Sequence, residues 1–228
     1  MNDRRNNDPK FTWEIIVVDD HSKDATFELA ASFSTEATPV HAIRLKKNAG
    51  KGGAVRMGAL NAVGDYILMV DADGATRFSD LNKLEAVYEP AKGVEVVFGS
   101  RDHLKRVDST QKRNPLRNIL MHGFHFAVLL IIGTDIKDTQ CGFKIFSKRA
   151  TDILFRSLHL ERWAFDTEIV LLCNILGFKI KEVDVNWTEI PGSKLNVAIA
   201  SVQMLRDMIL LRALYLLGVW RPCLTARQ

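Results

Sequence analysis

Cysteine is scarce in this 228-residue chain: Cys141, Cys173 and Cys223 are odd in number, far apart and without a CxxC spacing. That argues against a disulfide framework and against a structural zinc site. An excess of one charge is missing too. The 31 basic and 27 acidic residues leave a net charge of +4 and a pI near 9.0. Such a tilt suits anionic substrates or an anionic membrane surface and is too weak to imply nucleic acid. There is no long apolar run. The longest stretch without a charged residue, Asn118 to Thr134, holds His122, Gly123 and His125. It falls short of the roughly 20 apolar residues that a spanning helix needs and reads as a buried or interfacial helix. Met1 to Lys10 is polar and charged, and reads as neither signal peptide nor anchor. The six histidines have no ligand spacing, GxxxxGK[ST] is absent, and no Ser/His/Asp or Cys/His signature stands out. P-loop and nucleophilic-triad chemistry are therefore unsupported.

What is present is an ordinary globular composition, 47% hydrophobic and 25% charged, with no repeat or linker dividing it. Residues 1–228 read as one domain. Trp13 to Val18 is a short β-branched run ending in Asp19-Asp20, and Val40 to Leu45 is a second strand. Asn48-Ala49-Gly50-Lys51-Gly52-Gly53 forms a loop opening into a helix from about Ala54 to Val63. Asp65 to Val70 is a third strand ending in Asp71-Ala72-Asp73. Ser79 caps a helix through about Glu89, and Val94 to Phe98 is a fourth strand leading to Arg101. Further on come an apolar helix over Leu116 to Gly133, a strand over Phe143 to Phe146 and a helix over Asp166 to Leu176. Ile180 to Trp187 alternates, and Asn196 to Trp220 is a long helical stretch. Strands alternating with helices imply a mostly parallel α/β sheet covered on both faces, with ligands at the carboxyl ends of strands.

Those ends carry the candidate chemistry. Asp71 and Asp73, two apart at the end of an apolar strand, can reach one divalent cation, with a diphosphate completing an oxygen shell; the competing reading is a polar turn. At Asp19-Asp20 one carboxylate could accept from a base N–H and the other cap the next helix, or both could be capping or solvated. The glycines around Lys51 read as a phosphate cradle or as a plain turn. Arg101, Arg113 and Arg117 flank the apolar helix and suit an anionic head group, or else are solvated.

Taken in order, VDD (18–20), KNAGKGGAVRMG (47–58), DADGAT (71–76), GSR (99–101), DTQCGFKIF (138–146), ERWAFDTE (161–168) and VNWTEIPGSK (185–194) resemble family 2 glycosyltransferases of the GT-A fold. Within that family the pattern is most similar to the dolichyl-phosphate β-glucosyltransferases of the endoplasmic reticulum. The resemblance implies a GT-A (Rossmann-like) α/β fold with C-terminal amphipathic or interfacial helices. It implies transfer of glucose from UDP-glucose to dolichyl phosphate, with inversion, at the cytosolic face of the endoplasmic reticulum membrane. Its cofactor would be Mg²⁺ or Mn²⁺, its partners UDP-glucose, dolichyl phosphate and the membrane surface, and no nucleic acid. Carried over by motif, Asp71 and Asp73 would bind metal and diphosphate, Asp19 and Asp20 the uracil, and Lys51 would lie near the nucleotide. Arg101 and Arg117 would face the acceptor phosphate. Gln140, Lys144, Trp163, Asp166 and Glu168 match segments that close over the sugar, with Asp166 or Glu168 orienting a hydroxyl or serving as base.

Two departures accompany the resemblance. The family opens with a membrane anchor and a first strand ending in a P-x-Y-N-E-like segment, and this chain starts just before the second strand. His21 also stands where the family has glycine. The first departure keeps open a catalytically inert product that only binds nucleotide or a partner; a mannosyltransferase using GDP-mannose is a third reading.

Overall fold

The structure, a computed structural model, describes residues 10–107, 131–190 and 197–223, with residues 1, 4, 6 and 8. The β-branched run near the start forms β1 (Ile15–Asp19), which pairs in parallel with β2 (Val40–Arg44) across α1 (Thr26–Ser32). These two strands make a sheet of their own. Helix α2 (Gly50–Asn61) packs along β1. Gly58 permits the approach, since a Cβ there would sit 3.2 Å from Val18 Cγ2. The helix starts at Gly50 rather than near Ala54, so the glycines belong to its first turn and not to a loop.

The second sheet has four strands in the order β3 (Tyr66–Val70), β5 (Phe143–Ser147), β4 (Val96–Ser100), β6 (Ile180–Asp184). β4 and β6 are parallel, whereas β5 runs antiparallel to both β3 and β4. The α/β expectation holds, with more mixed pairing than a mostly parallel sheet. The cause lies at the strand ends. Arg101, just past β4, binds Asp138, just ahead of β5, and Asp71, just past β3, donates its N–H to Gly142 O at 2.9 Å. A strand that enters at the edge where its neighbours end must run against them.

Alternation along these strands builds two cores. Val96, Phe98 and Phe146 face one side with Leu154, Phe155, Phe165 and Ile169; Val97, Phe143 and Ile145 face the other with Leu81, Leu84 and Val185. Each of these large side chains, fully removed from water, contributes about 1.5–3 kcal/mol. The second core is closed by the short α3 (Leu81–Glu85), entered through a 3₁₀ turn at Phe78–Asp80 in place of the longer Ser79-capped helix. α4 (Asp102–Val107) follows β4. The first core is closed by α5 (Lys148–Ser157), an element absent from the sequence reading. Ser147 caps it, its Oγ accepting from Ala150 N at 2.9 Å. α6 (Phe165–Leu176) is buried through its first nine residues and ends at Gly177, φ +76°. α7 (Val197–Leu216) buries Met208 and Leu211 and exposes Val202, Leu205, Ile209 and Leu216. Among the described residues no helix is long and apolar enough to cross a membrane. The expected helix over Leu116 to Gly133 lies outside the described residues as far as 130.

Candidate active site

The carboxyl ends of β3 and β4 and the entry to β5 meet at one edge, and the candidate site is built there. Asp71 directly follows β3. Its carboxylate lies over Gly142, where an added Cβ would meet both oxygens and the carboxyl carbon inside 3.0 Å. On its other side Asp71 Oδ2 is 2.8 Å from Lys51 Nζ. Asp73 is exposed; its Oδ1 accepts from Ala75 N at 2.9 Å across Gly74, φ +71°, a left-handed position that suits glycine. The rest of this loop is laced to the VNWTEI segment. Arg77 N donates to Asn186 O, Thr188 N donates to Ala75 O, and Asp80 accepts from Asn186 N and Nδ2.

Lys51 is aimed by the first turn of α2, and three features explain that turn. The Asp20 carboxylate accepts from Ala49 N at 2.6 Å and Gly50 N at 2.8 Å, so an anion already sits on the positive end of the helix. Gly50, at φ +82°, and Gly52 admit the segment 160–165: a Cβ on them would come 2.8 Å from Glu161 O and 2.7 Å from Phe165 Cβ. Gly53 N donates to Glu161 O at 2.9 Å. The glycines thus make a packing surface for the segment 160–165, and Asp20 occupies the backbone N–H groups of Ala49 and Gly50. Asp19, 3% exposed, accepts from Ser22 N at 3.0 Å and Arg44 Nε at 2.8 Å. Hydrogen bonds from Ser22 and then Arg44 hold its carboxyl below the usual range. Arg44 also meets Glu28 and the Phe27 ring, so Asp19 ties β1, β2 and α1 together. His21 does take the left-handed conformation of a glycine position, φ +64°, with Nδ1 3.2 Å from Leu45 O.

Beneath Asp71 lies a fully buried ion pair, Lys144 Nζ to Asp166 Oδ1 at 2.6 Å, with Lys144 4.7 Å from the centre of the Phe98 ring. Burial raises the Asp166 carboxyl above its ordinary range, Lys144 and then Lys51 pull it down, and Asp71 adds to the rise. Lys51, Asp71, Lys144 and Asp166 therefore form one cluster of facing acidic and basic side chains.

Arg101 sits beside it. Its Nε and Nη2 grip Asp138 at 2.7 and 2.8 Å, and its guanidinium lies 5.4 Å from the Trp187 ring centre. Burial by itself would lower its pKa, but hydrogen bonding and charge from Asp138 outweigh that and raise it, so Arg101 is a permanent cation. Asp138 N in turn donates to Glu182 Oε1 at 2.9 Å. Gln140 is half-buried, and its Nε2 has no hydrogen-bond partner among the described residues. Burial pushes the Cys141 thiol up to about 11, which keeps it from acting as a nucleophile.

Of the residues expected over the sugar, Glu168 is committed elsewhere, and Trp163 is exposed. Trp163 lines a cavity with Arg162, Gln203, Met204, Arg206 and Asp207, on the side of α7. Glu168 is wholly buried, and its two oxygens are taken by backbone and side-chain donors from His159, Leu160 and Tyr215. It cannot serve as base without losing them. Arg113 and Arg117 lie outside the described residues. Asp138, Gly142 and Trp187 were passed over as site residues although they stand in the quoted motifs; a carboxylate ahead of an apolar strand was the signal for the first.

The chain is similar in sequence and in fold to known proteins. The model of glycosyl transferase family 2 matches residues 3–155. Dolichyl-phosphate beta-glucosyltransferase of Dictyostelium discoideum is 47% identical over 225 residues, 97% of this chain and 69% of that one. The protein of that name from Homo sapiens is 45% identical over 224 residues, 96% and 69% respectively. Among solved structures, mannosyl-3-phosphoglycerate synthase from Rubrobacter xylanophilus superposes with a TM-score of 0.65 at 19% identity, over 98% of this chain and 69% of that one. Glucosyl-3-phosphoglycerate synthase from Mycobacterium tuberculosis, in complex with Mn²⁺ and UDP-glucose, gives 0.54 at 19% identity, over 86% and 67%. The fold is GT-A, and the chain belongs to glycosyl transferase family 2, among the dolichyl-phosphate beta-glucosyltransferases.

Proposed function

We propose that the chain transfers glucose from UDP-glucose to dolichyl phosphate with inversion, giving dolichyl β-D-glucosyl phosphate at the cytosolic face of the endoplasmic reticulum membrane. One observation carries this reading. A carboxylate pair, Asp71 fixed between Gly142 and Lys51 and Asp73 exposed beside it, ends β3 in a chain 47% identical to a dolichyl-phosphate beta-glucosyltransferase.

The pair fits Mg²⁺ or Mn²⁺. Asp71 already attracts a cationic nitrogen, and Asp73 Oδ2 has no protein partner among the described residues. Among those residues no group of three or more His, Cys, Asp or Glu could hold a metal unaided. Diphosphate and water oxygens would complete the shell around Asp71 and Asp73. When bound, the ion supplies Lewis-acid stabilisation of the departing diphosphate.

The chain's own residues do the rest. A phosphate monoester has its second pKa near ~6, so dolichyl phosphate is largely a dianion at neutral pH and needs positioning more than deprotonation. This accounts for a site whose buried carboxylates are committed, Asp166 to Lys144 and Asp138 to Arg101. Arg101, held charged by Asp138 and braced on Trp187, offsets repulsion between two anionic substrates. Lys51 balances Asp71 until substrate arrives.

Asp73→Asn keeps the hydrogen bond to Ala75 N and removes the charge. It is expected to lower glucosyl transfer at least about 100-fold with an unchanged melting temperature. Transfer is read with UDP-glucose and GDP-mannose in parallel; full activity in the variant, or a preference for GDP-mannose, overturns the reading.

The exposed apolar residues Val202, Leu205, Ile209 and Leu216, with Arg206 beside them, support α7 as a membrane-surface contact, although its apolar residues lie all round the helix and the expected amphipathic face is not formed. The chain is expected to float with vesicles containing anionic lipid at low salt and to be partly released at high salt. Leu205→Glu combined with Ile209→Glu should abolish flotation; unchanged flotation of that variant removes α7 from the contact.

A further inference from the structure

A second polar centre lies away from the strand ends and is absorbed by none of the chemistry above. Glu168, on the first turn of α6, accepts from Leu160 N at 2.7 Å, from His159 N at 3.0 and 3.1 Å, from Tyr215 OH at 3.0 Å, and meets His159 Nδ1 at 3.1 Å. A carboxylate with no exposure and this many donors holds its surroundings in a single arrangement. The aromatic rings complete the lock. His159 stacks on Trp220 with centroids 4.2 Å apart and planes 6° from parallel, and Tyr215 meets both rings edge-on. Cys223 N donates to Ser157 Oγ at 2.8 Å, fastening the C-terminal segment to the same turn. Burial and the neighbouring Glu168 hold the Tyr215 phenol above its ordinary range, so it remains a donor throughout the physiological span.

The held turn is the one that packs on the glycines of α2. Leu160 N is fixed by Glu168; the next residue, Glu161, receives Gly53 N; Gly50 and Gly52 admit the same segment; and Lys51 between them reaches Asp71. We propose that Glu168, with Tyr215, is a positioning residue for the donor site: it sets the turn 159–163 against α2 and through it the placement of Lys51 on Asp71 and of Trp163. This rests on the transfer reading only for the identity of the donor, UDP-glucose. It replaces a base or hydroxyl-orienting role for Glu168 with one exercised at a distance.

Glu168→Gln retains the shape but puts an NH₂ among donors, and Tyr215→Phe removes a single donor far from Asp71. With the full chain, the KM for UDP-glucose is expected to rise about 10-fold in Glu168→Gln and about threefold in Tyr215→Phe. Saturated kcat should fall less than about twofold in both. Calorimetric affinity for UDP in the presence of Mn²⁺ should weaken by the same factors, and Glu168→Asp, which keeps the carboxylate, should recover part of the loss. A kcat collapse with unchanged UDP affinity would make Glu168 catalytic and overturn the proposal. Lowered melting temperatures with unchanged KM and UDP affinity would make it merely structural and overturn it equally. A wild-type chain that binds UDP but forms no glucosyl lipid sinks the transfer reading alone, because the UDP affinities still decide the role of Glu168.

Discussion

Gly142→Ala is expected to cost at least about 100-fold in glucosyl transfer while leaving the fold nearly intact. The backbone there is not in the left-handed region, so alanine is conformationally acceptable. The whole effect comes from one methyl group landing on the Asp71 carboxylate. Asp71 has an escape, because its side chain is about one-third exposed, at 35%. It swings outward, leaves Lys51 and no longer pairs with Asp73. Melting should shift by only a few degrees. Transfer assays and thermal melts on the same preparation check this; activity within about threefold of wild type would show that Asp71 need not lie where it does.

Lys144→Met is expected to be the most destabilising single change at the site. It leaves Asp166 in the core without its partner, a loss of roughly 3–5 kcal/mol. For a chain of this size that is about 6–20 °C in melting temperature. The pH dependence has a definite sign. The Asp166 carboxyl is raised in the folded state, and removing Lys144 raises it further. Between its unfolded and folded values the native chain then binds more protons than the unfolded one, so stability falls as pH rises through that window. The deficit against wild type should therefore be largest near pH 7.5 and shrink on acidification to pH 5. Lys144→Met with Asp166→Leu should recover stability but not activity, since well-packed apolar residues can replace a buried pair. A single variant that melts like wild type at every pH would deny the pair this role.

Much of this was legible in the residues. β-branched runs ending in acidic pairs located β1 and β3 and put Asp20, Asp71 and Asp73 at strand ends, because an apolar run broken by carboxylates leaves little else to read. The direction of β5 was not legible. It depends on Arg101 finding Asp138, 37 positions away, and local pattern carries no such information. The glycines around Lys51 misled for a similar reason: only the neighbour across the gap, segment 160–165, says what their missing side chains make room for. Asp166 and Glu168 looked equivalent because they share a motif. Two apart on one helix, however, they point to opposite sides, and only Asp166 faces the sheet. Glu168 drew attention for its charge, when its burial was the telling property.

The two sheets of the described residues differ in how firmly they are anchored. All five residues of β4 and of β5 are buried, while β1 and β2 each bury only one. A two-stranded ribbon is marginal by itself, so the β1–β2 unit depends on α1 and α2 for its cover. Local opening follows burial, so this ribbon is expected to open before the four-stranded sheet. Asp19 and Asp20 ride on its end, whereas Asp71, Lys144 and Asp166 are mounted on the stiff core. The molecule thus pairs an adaptable jaw with a fixed anvil. A ligand spanning both can be gripped by the moving half without the charge cluster being disturbed.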